Sequence, residues 1–109
     1  MPVTAARFRE IALALPETQE GAHMAHPDFR VSGKIFATLG YPDAKHGMVK
    51  LTPAEQRALV KGYPKAFAPA SGSWGKQGST IVTLAAVPVG VIRDAIESAW
   101  YNVAPRRLH

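Results

Sequence analysis

The stretch that most constrains this chain is Pro27 to Leu39, PDFRVSGKIFATL, in which two apolar runs, Phe29–Val31 and Ile35–Leu39, flank Ser32 and Gly33. A Ser-Gly pair fills a tight two-residue turn because glycine tolerates the positive φ that such turns demand. The pattern predicts an antiparallel hairpin. With a two-residue loop, Val31 faces Lys34, Arg30 faces Ile35 and Phe29 faces Phe36, and residues opposed across a ladder share a face. Phe29, Val31, Lys34, Phe36 and Thr38 then fall on one side, with Arg30, Ile35, Ala37 and Leu39 on the other. Both sides are apolar enough to need cover, while a two-layer domain covers only one. The second side is expected to meet either the Gly62–Lys76 segment folding back over it, or a partner chain or ligand.

The rest of the chain arranges itself around that hairpin. Phe8, Ile11, Ala12 and Leu15 recur at helical spacing behind a capping Thr4, and Pro16 stops the helix. Glu17–His26 is compatible with an irregular first strand. His46–Leu51 reads as another strand. Thr52, Pro53 and Glu55 form the most specific local signal: a capping threonine, proline at the first helical position and glutamate three residues after the cap. The helix they announce runs to about Gly62. In the following segment Pro64 and Pro69 limit pairing to an edge strand, and Gly75–Gly78 reads as a turn. Ser79–Ala86 is β-branched and apolar and belongs in the centre of the sheet. Pro88 opens a last helix with Val89, Ile92, Ile96, Ala99 and Val103 toward the core. Strands clustered between helices predict an α+β, two-layer domain over residues 1–109, with an antiparallel sheet of about five strands, helices on one face, and the order α-β(3)-α-β(2)-α.

Charge narrows the partners. The chain has 109 residues and a net charge of +5, from 13 Lys plus Arg against 8 Asp plus Glu. From Arg30 to Lys76 lie eight basic residues, opposed only by Asp43 and Glu55. Such a field favours polyanions, although a solvated basic surface has the same composition. Cysteine is absent, which rules out disulfides, zinc ribbons, iron–sulfur sites and thiol catalysis. The N-terminal apolar patch contains Arg7, Arg9 and Glu10 and so reads as an amphipathic helix, not a signal peptide; no run of about 18 apolar residues supplies a membrane span, and a cytoplasmic location is expected.

No motif carries recognisable chemistry. His23 and His26, with Asp28 nearby, are the one cluster of ligand-like residue types, but zinc needs three or four convergent donors and no second cluster supplies them. Gly72–Thr80 has the flavour of a phosphate loop, yet Gln77 rather than Ser or Thr follows Lys76, and a strand follows where a P-loop needs a helix. Trp74 is expected to pack over the sheet edge, or else to form with Lys76 an exposed tip that stacks on a ligand or contacts phosphate. Ser71, Ser73 and Ser79 lack the strained turn of a catalytic nucleophile, and no carboxylate pair stands out. The expectation is no enzyme, no metal and no cofactor.

The run Ala12–Thr18 (ALALPET), His26-Pro27 with Phe29-Arg30-Val31, Gly33–Ala37 (GKIFA), Gly72 with Trp74-Gly75, and Ala99-Trp100 with Pro105 resembles the MmcQ/YjbR-like proteins across nearly the whole chain. These are fold motifs. The resemblance implies an α-β(3)-α-β(2)-α domain akin to the secretion-chaperone and frataxin-like (CyaY) architectures, and a DNA-binding "double wing" arrangement. It brings no catalytic residues. Three functions follow as expectations. The first is nucleic-acid binding, mainly through phosphates, by Arg30, Lys34, Lys50, Lys61, Lys65 and Lys76, with Trp74 stacking. The second is a protein-interaction module or homodimer resting on the two-sided hairpin. The third is a small-ligand or enzymatic cleft beside Trp74 and His26.

Overall fold

The computed structural model describes residues 3–109. Thr4 caps α1 (Ala5–Leu13), its Oγ1 accepting from the Arg7 amide at 3.1 Å. Four strands follow, β1 (Thr18–His23), β2 (His26–Val31), β3 (Lys34–Leu39) and β4 (His46–Lys50). The capping box then starts α2 (Pro53–Gly62): the Glu55 amide donates to Thr52 Oγ1 at 3.2 Å, and the Thr52 amide to Glu55 Oε1 at 2.8 Å. After it come β5 (Phe67–Pro69), a short α3 (Gly72–Lys76), β6 (Ser79–Thr83), α4 (Val89–Val103) and a 3-10 turn over Arg106–Leu108. The strands form one antiparallel sheet of six in the order β1-β2-β3-β4-β6-β5. The α+β class and the two layers match expectation; β6, expected at the centre of the sheet, lies between β4 and the edge strand β5. The strand count is six instead of about five, with four strands instead of three before α2.

The added strand is β1. Its sequence, TQEGAH, has few β-forming residues, so its order comes from a full six-pair ladder on β2, from Thr18↔Val31 to His23↔His26, and not from its own propensity. Half of the turn expected over Gly75–Gly78 is helical: Gly75 and Lys76 belong to α3, and only Gln77 and Gly78 form the turn. At the other edge, β5 is three residues long and ends in Pro69, a form that resists pairing with another chain.

α4 supplies most of the cover. Ile92, Ala95, Ile96, Ala99 and Trp100 are buried from it, together with Phe8, Ile11 and Ala12 of α1. Val89, expected in the core, is exposed, because Pro88 is the cap and the helix's buried stripe begins only at Ile92. Trp100 Nε1 donates to the Pro16 carbonyl at 3.0 Å, tying the last helix to the turn that ends the first. α2 flanks α4 across a shallow groove lined by Leu59, Val91 and Ala95. The buried Gln56 side chain donates to the carbonyls of Gly75 and Ser79, each at 3.0 Å, so α2 holds α3 and β6 in place.

The hairpin itself departs from the simple register. Ser32 (φ 51°) and Gly33 (φ 77°) both adopt positive φ, as a type I′ turn requires. Val31↔Lys34 and Arg30↔Ile35 pair as expected, but Phe29 then pairs with Ala37 and Asp28 with Thr38, leaving Phe36 as the extra residue of a β-bulge. From the bulge onward the faces exchange. Ala37 and Leu39 turn to the helix side with Phe29, and Thr38 turns away beside Asp28. Phe36 is fully buried in the main core.

The backbone approaches closely at Gly75, where a Cβ would overlap the Ala70 carbonyl, and at Gly78 (φ 113°), where one would overlap the Leu51 carbonyl. Gly78→Ala is expected to lower stability by about 2–4 kcal/mol, combining left-handed strain with overpacking. Gly90→Ala, in open space within α4, is expected to be neutral or stabilising by up to about 1 kcal/mol. Urea denaturation midpoints at constant m check both, and equal midpoints for the two variants would contradict the close approach.

Candidate functional site

The sheet face opposite the helices carries the candidate site. The register brings Gly21, Asp28, Thr38, Met48, Ile81 and Ala68 into one cross-sheet row on that face, with Arg30 beside Ile35, and Lys50 beside Ser79. The Gly62–Lys76 segment borders this face, which lies opposite α1 and α4, along one side without closing it, and brings the short α3 to its rim. Ala70, Ser71 and Trp74 form one wall, His23, Met24, His26 and Tyr41 form another, and Ile35, Thr38, Met48, Lys50 and Ser79 supply the floor between them. The result is a concavity of about 380 Å³, mostly apolar, within the size range of small-ligand and cofactor clefts (about 300–1,000 Å³).

Its walls stand ready for contact. Trp74 is 63% exposed and Met24 87% exposed, unusual for side chains of this size and polarity. Trp74 is the exposed tip foreseen as the functional alternative to packing on the sheet edge. Lys50 Nζ lies 6.0 Å from the Trp74 ring centre, at the outer limit of a cation–π contact. The Tyr41 and His26 rings meet edge to face at 6.0 Å between centroids. Met24 and Ala25 form the β1–β2 turn, both at positive φ (49° and 67°), a conformation costing a non-glycine residue about 1–2 kcal/mol.

One acid belongs to this face, Asp28, and its side chain is fully buried. Arg30 donates to both of its oxygens, from Nε to Oδ1 at 2.7 Å and from an Nη to Oδ2 at 3.0 Å. His23 Nδ1 lies 2.7 Å from Oδ2. An ionised carboxylate only accepts, so His23 carries its proton on Nδ1. The hydrogen bonds from Arg30 hold the Asp28 carboxyl below its usual range, against the opposite effect of burial, with His23 acting in the same direction as Arg30. Gly21 makes the arrangement possible: a Cβ there would stand 3.0 Å from Asp28 Oδ1 and 3.2 Å from Arg30 Nε.

The expected site residues therefore separate. Lys50 and Trp74 come together in the concavity. Arg30 lies on the same face but is committed to Asp28. Lys34 sits at the hairpin turn, Lys61 in the last turn of α2, Lys65 beyond it, and Lys76 at the end of α3; none of these four lines the concavity. Four further acids are engaged by arginine or histidine, in Arg7–Glu10, Arg9–Glu20, Arg107–Glu17 and His46–Asp43; Glu55, Asp94 and Glu97 are not, and no lysine forms an ion pair among the described residues. His26 and Trp74 do flank one cleft, as the third expectation had it. Sequence reading did not find Tyr41, Met24 or Met48, which carry no local signal, and it placed Thr38 on the wrong face because the bulge is invisible in the hydrophobic pattern. No group of three or more His, Cys, Asp or Glu able to hold a metal occurs among the described residues, and no helix there is long and apolar enough to cross a membrane.

Comparison with known proteins gives a family and a fold. The YjbR family model matches residues 13–102. The crystal structure of Deinococcus radiodurans protein DR2400, which carries a DUF419 domain, superposes with a TM-score of 0.81 at 18% identity, covering 98% of this chain and 83% of that one. No curated protein sequence matches the chain.

The Asp28 cluster has a pH signature. A carboxyl whose folded pKa is depressed contributes stability that is present above its unfolded value of about 3.9 and is lost as pH falls through the lower folded value. Asp28→Asn is expected to destabilise the domain at neutral pH by about 1–3 kcal/mol, through loss of charge-assisted hydrogen bonds, and to flatten the acid limb of the stability curve. Thermal melts of both proteins from neutral to acid pH check this; parallel acid limbs would contradict it.

Proposed function

The chain belongs to the YjbR family, and from that premise we propose that it is a non-enzymatic nucleic-acid-binding domain whose ligand lies across the sheet face opposite α1 and α4. The observation that carries this reading is the meeting, on one uncovered face, of an exposed aromatic ring, Trp74, with a lysine, Lys50, that has no acidic partner. An anionic ligand with planar rings matches both groups at once. The acid on this face does not oppose such a ligand, because Asp28 is buried and neutralised by Arg30. The other lysines add to the overall field without forming ion pairs among the described residues, which suits a chain of net charge +5.

Contacts of this kind are to phosphates first, so affinity is governed by counterion release. Duplex or single-stranded DNA, titrated by fluorescence anisotropy, is expected to bind at low salt and weaken as salt rises, with a log–log slope of about −0.7 to −0.9 per phosphate engaged. Lys50→Gln is expected to weaken binding and to reduce the magnitude of that slope by about 1. Indifference to both forms of DNA at low salt, together with a concentration-dependent dimer in sedimentation, would overturn the reading in favour of self-association through the same apolar face.

A further inference from the structure

We propose that the concavity is a receptor for one unpaired nucleobase, so that this domain selects single-stranded over duplex nucleic acid. The inference deepens the function proposed above and rests on it. Its ground is shape. Reading a duplex groove takes a protruding element, a helix or a two-stranded ribbon, that enters the groove and meets the base edges there. The face opposite α1 and α4 presents a recess instead, whose floor, at Ile35, Thr38 and Met48, lies between two walls. In a duplex each base is stacked above and below and its faces are unavailable. A base in a single strand turns outward and offers its face.

The chemistry of the recess fits such a base. Trp74 stands at the wall with most of its surface in water, which leaves it free to stack. Met48 and Ile35 give the floor a polarisable, apolar surface for the ring, and two further lining residues, Ser71 and Ser79, are of a hydroxyl-bearing type suited to a base edge. Lys50, at the foot of Trp74, is placed for the phosphate of the same nucleotide. Every base has a π face, so stacking of this kind is tolerant of sequence.

Trp74 is also the reporter. The other tryptophan, Trp100, is buried and hydrogen-bonded to Pro16, so quenching of the tryptophan emission by added strand reports on Trp74. The experiment compares, on the intact protein, a short single-stranded oligodeoxynucleotide, the same sequence as a duplex, and an abasic strand of equal length. The expected result is quenching and tightest binding with the base-bearing single strand, and a loss of about tenfold in its affinity on Trp74→Ala. The abasic strand should bind that variant and the wild type alike. Circular dichroism confirms that the variant is folded. Equal affinity for the single strand, the duplex and the abasic strand, with no effect of Trp74→Ala, overturns the base receptor while leaving phosphate binding standing. No binding of any of the three at low salt overturns both.

Discussion

One extra residue in β3 decides what each face of this sheet displays. Side chains in a strand alternate with period two, so a single unpaired residue, Phe36, reverses the sense of everything after it. Without the bulge, Ala37 and Leu39 would face away from the helices, and Thr38 would be forced into the core. With it, Phe29, Ala37, Leu39, Val49 and Val82 form a continuous apolar surface under α1 and α4. The opposite face receives what remains: Asp28, Thr38, Met48 and Lys50, a mixture that neither α1 nor α4 covers and that the short α3 only borders. The concavity is thus a consequence of how the core was satisfied.

Burying Asp28 on that uncovered face has a second effect. A carboxylate out of water must be matched by hydrogen-bonded cations, and here Arg30 and His23 meet the need. The cost is that Arg30 is removed from the set of groups able to greet an anion. The gain is a face with no exposed acid between its two walls, on which Lys50 acts without competition. Elsewhere Arg7, Arg9, Arg107 and His46 engage acids, whereas no lysine forms an ion pair among the described residues, nor do Arg57, Arg93 and Arg106. The unpaired lysines are hydrated point charges, suited to phosphate contact more than to rigid bidentate recognition.

Much of the fold was legible in the sequence where the signal is local. Thr52, Pro53 and Glu55 specify a helix start by side-chain hydrogen bonds within four residues, and Ser32-Gly33 specifies a turn by backbone conformation. β1 was less legible, since TQEGAH is made a strand by its partner and not by its own residues. The bulge at Phe36 was invisible, because an apolar run such as IFATL has no alternation to interrupt. Those two non-local features also set the limits of the site. Lys50 and Trp74 could be named as candidates from charge and aromaticity, but they are separated by 24 positions, and their meeting depends on Gln56 pinning α3 and β6 to α2. Lys34, Lys61, Lys65 and Lys76 share the charge but not the place.

The central claim is that this domain does its binding on the sheet face opposite α1 and α4. Two-dimensional NMR of the labelled protein, titrated with a short single-stranded oligodeoxynucleotide, tests it residue by residue. The account predicts that the largest shift changes fall on Thr38, Met48, Lys50 and the Trp74 indole, with the amides of α4 unmoved. Changes concentrated on Arg57 and Lys61 of α2, with Trp74 and Met48 silent, would contradict it.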